Sequence, residues 1–235
     1  MRNFVFTLII CFMGTSFTIP DQYKSDVLRA VQVLKKEQKT IDRIAAKYKC
    51  EKFEVLSIVF PEIIRYSIFK DFFETKVLEQ LYVLKGNHWA DFSIGIFQMK
   101  PSFVEDLEYH VHYMPELKAN FQDIIDYDAT GEESVRRERV ERLKSFEWQL
   151  KYAFCYYFIM QKCYEAYQFK NDEARLKFFA TAYNFGFTKS FDEIEDWMNE
   201  KAFPYGKKFR AEQFAFGDLS AEFYQDHYIH FEKTP

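Results

Sequence analysis

The sequence predicts a mainly α-helical fold, and three features of its composition and patterning support that prediction. Residues that break helices are scarce, with 7 Gly and 6 Pro among 235 residues. Long apolar and aromatic side chains are abundant, including 28 Phe and 16 Tyr, which can fill the interfaces between helices. Apolar residues recur at steps of three and four in most segments, which is the period of a helix. The length suffices for one domain with a substantial core.

The amino terminus predicts a secretory signal peptide, which we place at residues 1–18. Arg2 gives a positive start, and an apolar stretch over 4–13 is followed by the small residues Gly14 and Ser16. That stretch is short for a membrane span, and no later run of about eighteen uncharged apolar residues appears. We expect an exported protein of the periplasm or cell envelope, without a stable membrane span.

The charge distribution gives no indication of a nucleic-acid partner, and the cysteine content leaves the disulfide pairing open. The net charge of −4 comes from 32 basic and 36 acidic residues that are interspersed, so no basic patch indicates nucleic acid as a partner. Cys50, Cys155 and Cys163 remain after the predicted signal peptide. The last two lie eight residues apart on one predicted helix, roughly 12 Å of rise, which is too far for a disulfide. Cys50 could pair with either, but we prefer three buried free thiols.

In the first third of the chain the periodicity predicts helices over 21–48, with Thr40 capping the second of two segments. The next helix is predicted over 53–69. Pro61 lies inside it and should either kink the helix or restart it, because proline lacks the N–H of a continuing helix. A further helix is predicted over 72–84, where a glycine follows as a stop.

Two irregular stretches are predicted in the middle of the chain. Residues 87–101, NHWADFSIGIFQMKP, have no helical period, and we expect a loop or small β-hairpin and then a turn that starts the next helix. The second stretch covers 110–131. His110 and His112 alternate at its start, but no third ligand follows at a supporting spacing, and we expect no metal site.

A long helical region is predicted over 132–169, either continuous or broken once, followed by a helix that Asn171 or Asp172 caps and Gly186 ends. Beyond residue 187 we expect an extension of short amphipathic pieces with a turn at 203–206. The long region carries a stripe typical of a central core helix, formed by Leu143, Phe146, Leu150, Ala153, Tyr157, Met160, Tyr164 and Tyr167.

Glu62 is the candidate for chemistry in the predicted helix over 53–69. Burial among apolar neighbours raises the pKa of a carboxyl and can set it to donate a proton near neutral pH. A structural alternative is a buried glutamate satisfied by an Arg or Tyr, and Arg65 would lower its pKa if it reached the carboxylate. The residues that share the helical face of Glu62 are apolar or aromatic: Val55, Val59, Tyr66 and Phe69.

Three stretches occur in the order of a known family pattern. They are VFPEIIRYS over 59–67, SIGIFQMKP over 93–101 and AYNFG over 182–186. This pattern resembles the lytic transglycosylases of the soluble-transglycosylase (SLT) type, in the lysozyme-like superfamily. They show a Glu, then a Gly-x-x-Gln-x-x-Pro turn, then an Ala-Tyr-Asn-x-Gly helix end. The chain departs from the pattern at Ile63, where the family usually has Ser.

The resemblance implies a single goose-type or SLT lysozyme-like helical domain over 19–235, with a small irregular or β-hairpin loop lining a cleft. The pattern covers roughly 53–186, with an insertion around 105–131 and a C-terminal extension from about 187. Trp89, Phe92 and Phe97 could stack on sugar faces in such a cleft.

By the same resemblance, Glu62 would be the catalytic acid and base, and Ser93, Gln98, Tyr183 and Asn184 would bind substrate. The tyrosine hydroxyl would lie near the glutamate, and the asparagine would hold the wall of the site. The resemblance implies cleavage of the MurNAc–GlcNAc bond of peptidoglycan strands with formation of 1,6-anhydro-MurNAc. This chemistry requires no metal and no organic cofactor.

Two alternatives stay open at the level of sequence. A carboxylate such as Asp91, holding a water across the cleft, would make the protein a hydrolytic muramidase of lysozyme type. A non-catalytic peptidoglycan-binding or scaffold protein of the same fold is the other alternative. It would be favoured by an ion pair that locks Glu62 to Arg65, or by a cleft filled with the insertion at 105–131.

Overall fold

The structure is a computed structural model that describes residues 21–69, 76–206 and 212–231. The predicted signal peptide at 1–18 and the start of the helix predicted from residue 72 lie outside these described residues. Within them the chain forms eleven helices and one two-stranded sheet, which confirms the mainly α prediction. No helix among the described residues is both long enough and apolar enough to span a bilayer.

The helices run in chain order with short connections. The two strands, β1 (Lys201–Phe203) and β2 (Phe214–Ala215), pair antiparallel near the C terminus. The helices are α1 (Asp21–Lys36), α2 (Gln38–Tyr48), α3 (Lys52–Phe69), α4 (Lys76–Lys85), α5 (Pro101–Tyr113), α6 (Pro115–Ile125), α7 (Glu132–Lys144), α8 (Phe146–Cys163), α9 (Asp172–Phe185), α10 (Phe191–Trp197) and α11 (Phe216–Phe231).

The early helices differ from the prediction at two points. Thr40 lies inside α2 and does not cap it, because α1 and α2 are separated only at Glu37, whose φ of −92° and ψ of 8° stay close to helical. Helix α3 continues across Pro61 without restarting. Because proline has no N–H, the Ser57 carbonyl receives no helical hydrogen bond from Pro61, the residue directly before Glu62.

The stretch predicted as irregular over 110–131 is mostly helical, and that prediction was wrong. Helix α5 continues to Tyr113, and α6 begins directly at Pro115. Proline is favoured at the first helical position, because the N–H of any residue there would have no partner within the helix. Leu117, Phe121 and Ile124 form the buried face of α6, which packs on α5 and α8.

Helix α8 is the central element, as its stripe predicts. It packs against α2, α3, α5, α6 and α7. The single break that the sequence left open lies at Ser145, whose side chain accepts a hydrogen bond from the Trp148 amide and caps α8. The stripe ends sooner than predicted, because α8 stops at Cys163 and Tyr167 is 44% exposed beyond it.

Helix α9 is capped by the Asn171 side chain and ends at Gly186, as predicted. Beyond it, the C-terminal region is integrated into the core. Helix α11 packs along both α3 and α9, and the rings of Phe60 and Phe223 stack with centroids 3.8 Å apart. The segment predicted as an extension therefore supports the helices that carry the candidate site.

All three cysteines within the described residues are free thiols, but the prediction that all three are buried was wrong. Cys155 is buried, Cys50 is half-buried and Cys163 is exposed. Cys163 is the last residue of α8, where the helix leaves the core.

Candidate active site

A cleft of about 310 Å³ lies between α3, the loop before α5, the start of α5 and the end of α9. It brings together the five residues to which the resemblance assigns a catalytic or substrate-binding role. They are Glu62, Ser93, Gln98, Tyr183 and Asn184.

Glu62 is 3% exposed at the wall of this cleft and has two polar partners. Nη1 of Arg65 donates to both carboxylate oxygens at 2.8 and 2.9 Å, and Nδ2 of Asn184 donates to Oε1 at 3.0 Å. Burial raises the pKa of Glu62, and the charge of Arg65 and the two hydrogen-bond partners lower it without cancelling the effect of burial. The carboxyl therefore keeps its proton to a higher pH than a free glutamate.

Arg65 is held from behind by the C-terminal region. Its guanidinium carbon lies 4.7 Å from the ring centroid of Phe203 in β1, a cation–π distance. The three-residue spacing from Glu62 places both side chains on one face of α3. The ion pair that the sequence left open is present, and an aromatic ring fixes its cationic partner.

Tyr183 lines the cleft with Glu62, but its hydroxyl donates to the backbone carbonyl of Phe97 at 2.7 Å. Burial raises the pKa of Tyr183 well above its ordinary value, and the charge of Glu62 adds to that rise. The tyrosine is therefore a neutral donor that ties α9 to the loop before α5.

That loop closes in a tight turn around a single β-bridge between Ile94 and Met99, which lies between the irregular loop and the small hairpin that the sequence left open. Ile94 and Met99 exchange backbone hydrogen bonds of 2.9 and 3.2 Å, and Ser93 lies directly before them on the cleft wall. Gln98 has a φ of +49°, and its Nε2 donates to the Gly95 carbonyl at 2.7 Å. The glutamine side chain therefore braces its own turn while it lines the cleft.

Gln149 of α8 is the residue that sequence reasoning missed. It is fully buried, and its Oε1 accepts the Phe97 amide at 2.6 Å while its Nε2 donates to the carbonyls of Leu143 and Ile94. A Cβ on Gly95 would lie 1.5 Å from this Nε2, so only glycine allows the approach. The available signal was one amide side chain directly beside the apolar stripe of α8.

Two more carboxylates lie in the cleft. Asp91 accepts a hydrogen bond from the Ser102 amide at 3.2 Å and lies 3.5 Å from the ammonium of Lys100. Asp106 of α5 is part-buried. Burial and the charge of Asp91 raise its pKa, and His110 lowers it.

The predicted insertion at 105–131 does not fill the cleft, since Asp106 is its one lining residue. His110 and His112 both lie on α5, two residues apart and on different faces. Within the part of the chain that the structure describes, no cluster of three potential metal ligands occurs.

The aromatic side chains proposed to stack on sugars separate into different environments. Phe97 is fully buried and edge-on to Phe146, so it belongs to the core and cannot meet a substrate. Phe92 is half-buried, and Trp89 is 66% exposed. Of this set, the exposed tryptophan alone presents most of its ring to solvent.

The fold and the site define a mainly helical protein with a cleft built around one buried glutamate. No family model, curated protein or solved structure matches the chain.

Proposed function

We propose that the protein is a peptidoglycan lytic transglycosylase that cleaves the MurNAc–GlcNAc bond with Glu62 as its acid and base. One observation carries the proposal: Glu62 is buried in a cleft, and its pKa is raised although two donors contact it. A glutamic acid that keeps its proton to a higher pH than usual can protonate a leaving sugar oxygen. The resemblance of the three sequence motifs supplies the substrate class.

In the first step the Glu62 proton passes to the glycosidic oxygen as the bond between that oxygen and the MurNAc anomeric carbon breaks. The carbonyl oxygen of the substrate's own N-acetyl group bonds to the anomeric carbon and takes the place of a protein nucleophile. The Glu62 carboxylate that remains is stabilised by Arg65 and Asn184, which already donate to its oxygens.

In the second step the Glu62 carboxylate takes the proton of the MurNAc 6-hydroxyl. That oxygen bonds to the anomeric carbon and displaces the acetamido oxygen, which gives a 1,6-anhydro ring. Glu62 is protonated again, and no water is consumed. Peptidoglycan lies outside the cytoplasm, which agrees with the predicted signal peptide.

Two other functions are each favoured by one observation. Asp91 and Asp106 line the same cleft, and a second carboxylate that activates water would make the reaction a hydrolysis. The contact of Arg65 with both oxygens of Glu62 favours a non-catalytic glycan-binding protein, because an ion pair stabilises the unprotonated form.

Digestion of purified peptidoglycan, followed by mass analysis of the released muropeptides, separates the three functions. Transglycosylation gives products lighter by one water than hydrolytic products, and the Glu62→Gln variant should release none. Ordinary reducing ends would establish a muramidase. Binding to peptidoglycan without release of fragments would establish the non-catalytic function.

Glu54→Gln is the matched control for this experiment. Glu54 lies on the same helix and pairs with Arg175 at 3.0 Å, outside the residues that line the cleft. Both substitutions remove one carboxylate from an ion pair of α3. Loss of activity in the Glu62 variant alone would therefore assign the effect to the cleft and not to a weakened helix.

A further inference from the structure

We propose that the exposed tyrosine pair Tyr109 and Tyr113 on α5 is a stacking subsite for the sugar rings of a glycan strand, outside the cleft. This inference rests on the proposed function, since it names where a longer substrate would continue beyond the bond that Glu62 cleaves.

Helix α5 links the cleft to the tyrosine pair. Ser102 and Asp106 line the cleft, and Tyr109 and Tyr113 follow at further steps of three and four residues. Residues at such steps share one face of a helix. The rise of a helix places the two tyrosines about 5 and 10 Å beyond Asp106 along the axis. The face of α5 that enters the cleft therefore continues out of it as a tyrosine pair.

Both tyrosines of the pair are exposed to solvent. Tyr109 is 60% exposed and Tyr113 is 65% exposed, the highest values for any tyrosine whose side chain the structure describes. Their ring centroids lie 4.6 Å apart, so the two rings form one surface. Rings that served the core would be covered, as those of Tyr152 and Tyr156 on α8 are.

Aromatic rings connect the cleft with the tyrosine pair. Phe187 lines the cleft, and its ring centroid lies 5.4 Å from that of His110. The His110 ring in turn lies 5.8 Å from Tyr109. A chain of aromatic rings thus runs from the cleft wall to the exposed pair.

The chemistry of the pair suits a carbohydrate. A tyrosine ring offers an apolar face and a polar hydroxyl edge, which match the C–H face and hydroxyl rim of a pyranose ring. Stacking of a sugar on a tyrosine ring depends little on sequence or charge, so each repeat of a glycan strand can bind in the same way. Two adjacent rings can bind successive parts of one strand without closing around it.

The test compares cleavage of long and short glycan strands, both prepared from peptidoglycan freed of its peptides. The Tyr109→Ala/Tyr113→Ala double variant is compared with the unchanged protein and with Tyr167→Ala, a control at a 44% exposed tyrosine away from the cleft lining. The measured quantity is the ratio of kcat/KM on long strands to kcat/KM on short strands. We expect this ratio to fall about tenfold in the double variant and to stay unchanged in the control.

Each outcome decides the inference. An unchanged ratio in an active double variant would overturn the subsite and leave the proposed function intact. An equal loss on both lengths would also overturn it, because the tyrosines would then act on the cleft or the fold. Absence of cleavage by the unchanged protein on either length would overturn the proposed function and the subsite together.

Discussion

At the scale of single residues, the behaviour of Glu62 depends on the competition between burial and its two donors. Burial raises its pKa, and Arg65 and Asn184 lower it by a smaller amount. The apolar neighbours of Glu62 in the sequence predicted the burial. Sequence could not predict the contact with Asn184, because 122 residues separate the two partners and only the packing of α3 on α9 brings them together.

A first prediction concerns stability against pH. The pKa of Glu62 is raised in the folded state, so its stabilising contribution is complete below the unfolded pKa and is lost as pH rises through the folded pKa. The amide of the Glu62→Gln variant cannot ionise. The free energy of unfolding of this variant relative to the unchanged protein should therefore rise above about pH 4, by about 1.4 kcal/mol per unit of pKa difference, and then level off. Chemical unfolding at several pH values measures it.

Glu193→Gln is the control with the opposite sign. Hydrogen bonds with the backbone and side chain of Ser190 lower the pKa of Glu193. Glu193 and Ser190 together form the capping box at the start of α10. The contribution of Glu193 is present above the unfolded pKa and is lost as pH falls, so this variant should lose relative stability as pH rises. A pH trend of the same sign in both variants would contradict the assigned environment of Glu62.

A second prediction concerns Arg65→Met and the pH profile of kcat/KM. Removing the guanidinium removes the largest influence that lowers the pKa of Glu62. The catalytic acid would then keep its proton to higher pH, so the basic limb of the profile should move upward in pH. The maximum should fall, because the carboxylate left after proton donation loses its cationic partner.

Arg175→Met provides the comparison for this profile. Arg175 of α9 pairs with Glu54 of α3, the helix that also carries Glu62 and Arg65, with contacts of 3.0 and 3.1 Å. Arg175 lines no part of the cleft. This variant should lose stability and keep the position of the basic limb. An unmoved limb in Arg65→Met would show that Glu62 is not the group whose proton the rate requires.

At the scale of elements, the turn before α5 is held by a side chain from a distant helix. Local sequence predicted the irregular stretch over 87–101 and the helix after it, since turn formers and Pro101 are local signals. The role of Gln149 was not predictable, because its partners in that turn lie 52 and 55 residues earlier. Helix α6 was missed for a different reason, since Pro115 reads equally as a break or as a first helical residue.

A third prediction compares two glycines with positive φ. Gly131 has a φ of +86° and no neighbour within 4 Å of an added Cβ, so Gly131→Ala should cost only backbone strain, about 1–3 kcal/mol. Gly95 has a φ of +69°, and its added Cβ would also collide with Gln149 at 1.5 Å and with the Leu143 carbonyl at 2.5 Å. Gly95→Ala should cost about 1–3 kcal/mol more than Gly131→Ala, measured by chemical unfolding.

The double variant Gly95→Ala/Gln149→Ala tests the cause of that extra cost. Truncating Gln149 removes the nearest colliding atom, so the pair should cost less than the sum of the two single substitutions. Strict additivity would mean that the glutamine does not constrain the glycine. Activity should fall in the Gly95 variant, because the displaced turn carries Gln98 and the Phe97 carbonyl that Tyr183 contacts.

At the scale of the whole molecule, the C-terminal region is part of the frame behind the candidate site. Sequence placed its short amphipathic pieces but gave no indication of where they dock, because docking depends on contacts over long separations. Helix α11 packs against α3 and α9, the two helices that supply Glu62 and Asn184. Strand β1 adds the Phe203 ring beneath Arg65. Removal of these contacts should therefore act on both stability and activity.

A fourth prediction follows for Phe223→Ala. Phe223 is 3% exposed and stacks on Phe60, two residues before Glu62 on α3. Truncation of a buried phenylalanine costs about 3–5 kcal/mol, and the cavity it leaves would adjoin the segment that carries the glutamate. Tyr167→Ala, at a 44% exposed ring, should cost far less. Chemical unfolding followed by circular dichroism and by tryptophan fluorescence measures both.

The two probes also test how the C-terminal region is coupled to the rest. The tryptophans report from different places, since Trp148 lies on α8 and Trp197 ends α10. If α11 is part of one cooperative unit with α3 and α9, both probes should give the same midpoint, and Phe223→Ala should shift it as a whole. Separate transitions, or an unchanged midpoint in Phe223→Ala, would show that α11 folds apart from these helices. In that case the C-terminal region would not hold Glu62 and Arg65 in place.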